Sequence, residues 1–163
     1  MKRWLTLIGV LLALGGGYVA AAHLSGGAFP TPGLPVGGDM GELRRITTQF
    51  WEDIQFKDFD KAASYHAPEL IDTVDIPFLL ERLFLQKPEM LDIMSYEIVM
   101  AEVDSTGLRA RVKTRIKVKD LVKEKIRERE LMLFYHRETL DSPWYMELES
   151  SLRKLDAEEG KEH

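Results

Sequence analysis

The spacing of hydrophobic residues changes along the chain, from a helical period to a strand period at about Leu91. Between residues 39 and 85, apolar side chains recur every three to four positions, which places them on one face of an α-helix. From Leu91 onward, apolar and polar residues alternate, as is typical of a strand with one buried face. The pattern therefore predicts helices followed by strands, the order of an α+β domain.

Three helices are predicted in the first half of this domain. The first runs from about residue 41 to 56 with Asp39 as its N-cap, the second from 59 to 66, and the third from 75 to 85. Pro68 ends the second helix, because the residue before a proline is driven out of the helical region. The helices are then expected to cover one face of the sheet that follows.

Four strands are predicted after the helices, and the short turns between them imply an antiparallel meander. Their ranges are 93–103, 108–119, 125–138 and 144–152. The turn positions predict that Val112 lies opposite Val99 on one side and Leu131 on the other, and that Arg115 lies opposite Glu128. The expected fold is α+β, with three helices packed on a curved four-stranded antiparallel meander and one apolar helix before them.

The second of these strands carries the clearest pattern in the chain. Its even positions from 108 to 118 are apolar, small or threonine, and its odd positions from 109 to 119 are all basic. Glutamates on the neighbouring strands can pair with the basic face, so a solvated, salt-paired face is the plainest interpretation and a protein-docking face is the main alternative. The candidate partner-surface residues are Tyr96, Met100, Arg109, Arg111, Lys113, Arg115, Met132 and Phe134.

An uncharged leader precedes this body. After Lys2 and Arg3, the 19 residues from 4 to 22 carry no charge, and a helix of that length spans about 28 Å, close to the hydrocarbon thickness of a bilayer. We expect a signal anchor that tethers the domain to the membrane on its extracytoplasmic side, periplasmic or cell-surface, or alternatively a cleaved signal peptide and a secreted protein. The predicted organisation is a leader at 1–22, a Gly/Pro-rich linker at 23–38, a globular domain at 39–152 and a charged tail at 153–163.

Composition excludes several kinds of chemistry. The 163-residue chain has a net charge of −5, which argues against binding to nucleic-acid phosphates. It has no cysteine, which excludes disulfides, thiolate catalysis and cysteine-ligated zinc. The four histidines are scattered, and no nucleotide-binding fingerprint is present. We therefore expect neither a metal nor a cofactor.

The segment FWEDIQFKDFDKAASYHAPE at residues 50–69 combines an aromatic-rich helix, a KDFDKA link and an APE ending. In these features the chain resembles the nuclear transport factor 2-like superfamily, which includes ketosteroid isomerase and the SnoaL-type polyketide cyclases. The resemblance extends over about residues 39–152 and implies a cone-like α+β fold. Members range from enzymes to binding and assembly modules, so the resemblance does not by itself assign an activity.

Tyr65, His66, Tyr135 and Trp144 are the candidate residues of a small apolar ligand pocket between helices and sheet. The resemblance implies that related enzymes use a buried carboxylate or histidine together with a tyrosine, and Asp72 is the nearby carboxylate considered for that role. The plainer interpretation is that His66 lies at a helix C-terminus, where a cation is favoured, and that the aromatic residues belong to the core.

Three functional hypotheses follow. The first is a non-enzymatic, membrane-tethered extracytoplasmic domain that docks on a protein partner or on a second copy of itself. The alternative is an exported protein that binds a small hydrophobic ligand. The third is an isomerase- or hydratase-type enzyme that uses His66 or Asp72 with Tyr65, although no catalytic signature assigns a catalytic residue.

Overall fold

The computed structural model describes residues 2–26, 36–85, 91–121 and 124–147. It has the predicted α+β architecture, with several helices and four antiparallel strands. The helices are α1 (Lys2–Leu24), α2 (Gly38–Gln55), α3 (Phe59–Ala63), α4 (Pro68–Ile71) and α5 (Ile76–Leu85), and the strands are β1 (Leu91–Val103), β2 (Arg109–Asp120), β3 (Lys125–His136) and β4 (Tyr145–Met146). Most of the predicted linker and the whole predicted tail lie outside the described residues.

The chain divides into two compact units, and the first ends at Arg44. Its helix α1 exposes large apolar side chains, among them Trp4, Leu12 and Leu24. Across the ranges that the structure describes, no helix has both the length and the apolar character needed to cross a membrane. This finding corrects the prediction that residues 1–22 form a membrane-spanning anchor, and the signal-peptide alternative gains no support from the described residues.

The second unit begins at Arg45, and its short helices start at capping residues. The Asp58 side chain accepts a hydrogen bond from the Lys61 amide at 3.2 Å, which caps the N-terminus of α3. The predicted second helix, 59–66, is wrong in its length, because α3 ends at Ala63. The chain starts a new helix at Pro68, where a proline is favoured because its missing N–H would have no partner in the first turn.

The four strands form one antiparallel sheet in the order β1-β2-β3-β4. Val112 lies opposite Ala101 in β1 and Leu133 in β3, and Arg115 lies opposite Glu130. The predicted registers are therefore wrong by two residues on both sides of β2. Because side chains alternate with a period of two, a two-residue displacement leaves each β2–β3 pair on its predicted face.

The positions of the two turns explain the displacement: Val103 pairs with Ala110, so the connection between β1 and β2 is centred one residue later than predicted. Asp120 pairs with Lys125, so the connection between β2 and β3 is centred one residue later than predicted. In β1 the pairing is irregular between residues 93 and 95 and again between residues 98 and 100. A bulge sets two residues opposite one, so it reverses the face on which the following side chains lie.

The core of the second unit is formed by α2, α5 and the inner face of the sheet. Its buried apolar side chains include Phe50, Trp51, Ile54, Ile76, Leu80, Val112, Ile116, Val118, Leu131 and Leu133. The end of α2 is tied to the sheet by Gln55, whose Nε2 donates to the Ile93 carbonyl at 3.0 Å. At the other side of the sheet, the Met146 amide of β4 donates to the Tyr65 carbonyl at 2.8 Å. These contacts bring the segment after α3 next to the last strand.

Candidate functional site

Tyr65, one of the predicted pocket residues, lies after α3 and contacts a buried carboxylate. Its hydroxyl donates to Asp53 Oδ2 at 2.8 Å, and Lys61 Nζ donates to Asp53 Oδ1 at 2.7 Å. Asp53 is 4% exposed, so two donors satisfy an acceptor that water barely reaches. Burial, followed by the hydrogen bond to Asp53, raises the pKa of Tyr65 well above its ordinary value of 10.0. The phenol is therefore protonated at neutral pH and acts as a donor.

Tyr135, the second predicted pocket residue, is a core tyrosine with a satisfied hydroxyl. Its oxygen lies 2.7 Å from Thr47 Oγ1 on α2, and the side chain is buried. Burial raises the pKa of Tyr135 far above its usual range. The contact joins α2 to β3 across the core.

His66, the third, is fully buried and lies three residues after the end of α3. Its Nδ1 lies 3.0 Å from the Ala63 carbonyl oxygen, and the described residues offer Nε2 no hydrogen-bond partner. Burial lowers the pKa of His66, and the hydrogen bond to Ala63 opposes this only in part. His66 therefore does lie at a helix C-terminus as expected, but as a neutral imidazole that donates from Nδ1 rather than as a cation.

Trp144, the fourth, is buried, and the Arg137 guanidinium carbon lies 4.3 Å from the centre of its ring. The structure thus places three of the four predicted pocket residues in the packed interior and leaves Tyr65 half-buried. Asp72, considered for an enzymatic role, is exposed at the end of α4. The assignment of these residues to a ligand pocket stays a prediction.

Sequence reasoning passed over Asp53, although a signal for it was present. Asp53 follows Phe50 by three positions and precedes Ile54 by one, so it lies beside the apolar stripe of α2. A carboxylate there needs donors from elsewhere in the fold. The donor Lys61 could not be identified from spacing, because its approach depends on the turn between α2 and α3.

The outer face of the sheet, turned away from the core, carries the basic side chains of β2, and carboxylates on both neighbouring strands pair with them. Arg111 Nη2 lies 2.6 Å from Glu102 Oε2, and Lys113 pairs with Glu130. Arg115 Nη2 lies 2.9 Å from Glu130 Oε1. These side chains are partly exposed, so the pairs contribute little to folding stability but order the face.

Apolar side chains lie between these ion pairs. Met100 and Met132 flank Lys113 in the sheet, and Phe134 lies opposite Arg111. Every predicted partner-surface residue except Tyr96 occupies this outer face. Placing Tyr96 there is wrong. It lies opposite Ile116 on the inner face, because the irregularity at residues 98–100 reverses the alternation in β1.

An open cleft of about 630 Å³ lies where β2 begins and β3 ends. We call it the end cleft and define it by Leu70, Leu108, Met146, Arg109, Arg137, Glu69, Glu147 and His136. None of the four predicted pocket residues is among its described lining residues. Within the described part of the chain, no group of histidines and carboxylates is arranged to hold a metal ion.

Comparison with known proteins gives limited matches. No protein-family model matches the chain, and no curated protein matches it. Among solved structures, the chain is similar to a SEC-C motif-containing protein from Rhodopseudomonas palustris, determined in solution. The two share 16% identity over 62% of this chain and 71% of that chain, with a TM-score of 0.48.

These findings correct the resemblance to the nuclear transport factor 2-like superfamily. No family model supports it, and no curated protein matches the chain. The segment at residues 50–69 owes its pattern to local requirements, namely the buried aromatic face of α2, the cap of α3 and the proline at the start of α4. Many α+β domains share such requirements, so the pattern does not identify a family.

Proposed function

We propose that the second unit is a non-enzymatic protein-docking module, and that the outer face of its sheet binds the same face of a second copy. The predicted extracytoplasmic location and the predicted cover of three helices over a curved sheet stay predictions on which this proposal does not depend. The observation that carries it is the ordered mixture of apolar side chains and ion pairs on the outer face.

The residue types on this face support docking. Cores of protein interfaces are enriched in methionine, aromatic residues and arginine relative to the rest of the surface. The outer face presents these types together, and each side chain keeps part of its surface open to solvent: Met100, Met132, Phe134, Tyr145, Arg111 and Arg115. Such side chains lose solvent contact when a partner covers the face.

The charges on the face favour a second copy as the occupant. The six basic residues of β2 lie between strands that carry Asp92, Glu97, Glu102, Glu128 and Glu130 on the same face. Opposite charges therefore nearly balance, and two copies do not repel each other as two basic faces would. A two-fold interface pairs the same patch with itself, so the carboxylates on β1 and β3 offset the repulsion between the two basic rows of β2.

The size of the face fits a weak dimer. Three strands of about twelve residues present roughly 40 by 14 Å at ordinary strand spacing. Two such faces bury about 1,100 Å² in total, near the lower limit for specific interfaces. We therefore expect micromolar self-association that depends on concentration.

Sedimentation equilibrium of the full chain tests the proposal. Phe134→Ser removes an aromatic side chain from the outer face, near the end of β3, and should weaken dimerisation at least about tenfold, as a hot-spot aromatic does. Phe56→Ser, at an exposed position outside the sheet, is the matched control and should leave it unchanged. Leu12→Ser on α1 separates association through α1 from association through the sheet. A chain that stays monomeric to submillimolar concentration, or a dimer that Phe134→Ser leaves intact, contradicts the proposal.

A further inference from the structure

The end cleft combines an apolar floor with charged groups at fixed positions. Leu70 of α4, Leu108 before β2 and Met146 of β4 supply apolar surface. The cleft is open to solvent, and its volume of about 630 Å³ falls within the range of small-molecule sites. Its described lining residues all belong to the second unit, and Arg109 and His136 on its rim also lie on the outer face.

Arg137 is the most rigidly held charge in the cleft. It is 8% exposed, its Nε donates to the Gly107 carbonyl at 2.7 Å, and its guanidinium stacks on Trp144 at 4.3 Å. Stacking and a backbone hydrogen bond fix the plane of the guanidinium, and a fixed plane loses less conformational entropy when it binds an anion. Arg137 is therefore preorganised at the wall of the cleft.

The other charged and titratable residues that line the cleft are more exposed than Arg137. Arg109 lies on the exposed rim opposite His136 in the sheet. His136 Nδ1 lies 3.5 Å from Glu147 Oε1. Glu69 is exposed on α4. Among the described charged residues that line the cleft, Arg137 is therefore the buried one, whereas Arg109 and Glu69 are exposed.

We infer that the end cleft binds a small amphiphilic carboxylate. The carboxylate contacts Arg137 and Arg109, and planar guanidinium groups suit it because they can donate two parallel hydrogen bonds. The apolar part lies against Leu70 and Leu108, which are partly exposed and where loss of water contact favours binding. This inference does not rest on dimerisation, since a monomer contains the whole cleft.

Titration of the full chain with octanoate, followed by amide chemical shifts, tests the inference. Saturable shifts should concentrate at Gly107, Leu108 and Arg137. Octyltrimethylammonium has the same chain and the opposite charge, and it should not saturate these signals. Octyl phosphate, a phosphate monoester, separates a general anion site from a carboxylate site, because a planar carboxylate fit predicts weaker binding of the phosphate. Equal saturation by the cation, or shifts confined to α1, overturns the inference.

Two variants with the same loss of charge sharpen the test. Arg109→Gln removes an exposed cation from the rim and should weaken octanoate binding about tenfold, the scale of one charge-assisted hydrogen bond. Lys117→Gln makes the same change on the same strand outside the cleft and should alter binding less than about twofold. Arg137→Lys keeps the charge but loses the planar fork, and it should also weaken binding if the variant retains the wild-type circular dichroism spectrum. Equal affinities for Arg109→Gln and wild type contradict the inference.

Discussion

The hydroxyl of Tyr65 donates a 2.8 Å hydrogen bond to the buried carboxylate of Asp53. This contact joins the last turn of α2 to the segment after α3, and the Tyr65 carbonyl in turn accepts a hydrogen bond from the Met146 amide of β4. Helix, loop and last strand are therefore linked through two hydrogen bonds of Tyr65, one from its hydroxyl and one to its carbonyl. Because the Tyr65 phenol is protonated and Asp53 is covered, the pair stabilises the fold rather than presenting a base to solvent.

Asp53→Asn should destabilise the second unit by about 1–3 kcal/mol, the cost of disrupting a buried charged hydrogen-bond partner. The amide keeps one acceptor oxygen but places an NH₂ group against a donor. Urea unfolding monitored by tryptophan fluorescence measures the change. Glu52→Gln, at the exposed neighbouring position of α2, is the control and should stay within about 0.5 kcal/mol of wild type.

Tyr65→Phe and Asp53→Asn should be strongly non-additive in unfolding free energy, because both remove the same hydrogen bond. Contacting residues in one polar network commonly show coupling of about 0.5–3 kcal/mol. A double-mutant cycle with urea measures that coupling. Strict additivity would show that the two side chains contribute independently.

Acid should destabilise the second unit through His66. Its pKa in the folded chain is below the ordinary 6.5 because of burial, so at pH below about 6.5 the unfolded chain binds a proton that the folded chain does not. Stability is therefore fully present above pH 6.5 and falls as the pH drops toward the folded pKa, by at most about 1.4 kcal/mol per pH unit for one proton. Urea midpoints measured for wild type and His66→Gln at several pH values check this: the variant should lose that part of the slope. An unchanged slope would assign the acid sensitivity to other groups.

Gly107→Ala should destabilise the turn before β2 by about 1–2 kcal/mol, because a left-handed backbone brings a Cβ too close to the following carbonyl. Gly107 has φ +72°, and an added Cβ would lie 2.8 Å from Leu140 Cδ2. Ser105→Ala, at an exposed position of the same turn, is the control for stability in thermal unfolding. Equal melting temperatures for the two variants would mean that the turn relaxes without cost.

The sequence predicted the faces of β2 well and the registers poorly. Alternation from Arg109 to Lys119 defines two faces whatever the neighbouring strand is, because it depends only on the pleat of one strand. Pairing depends in addition on the length of each turn, and the connection after Asp120 is centred one residue later than its composition suggested. A two-residue displacement leaves each side chain on the same face of the sheet. The predicted face of each β2 residue therefore does not change, although its predicted partner on β3 is wrong.

The misplacement of Tyr96 has a different cause. The bulges in β1 depend on its pairing with β2, so the local hydrophobic pattern does not reveal them. A single extra residue then reverses the face of the sheet on which the following side chains lie. The buried contacts of Asp53 and Tyr135 are likewise tertiary, since Thr47 and Tyr135 lie 88 positions apart in the sequence. The aromatic residues expected to line a pocket are large and apolar, which made them equally suitable for the core that they occupy.

The central claim is that two copies meet through their outer sheet faces, and spin-label distances test it most directly. Because the chain has no cysteine, Met132→Cys places a single label near the middle of the outer face, and Phe56→Cys places one outside the sheet. An isologous dimer brings a residue near its two-fold axis close to its own copy. The account predicts a concentration-dependent distance below about 30 Å between Met132 labels, set by strand spacing and facing sheets about 10 Å apart, and a longer or absent distance between Phe56 labels. Absence of dipolar coupling at Met132 at concentrations where sedimentation detects a dimer would contradict the account.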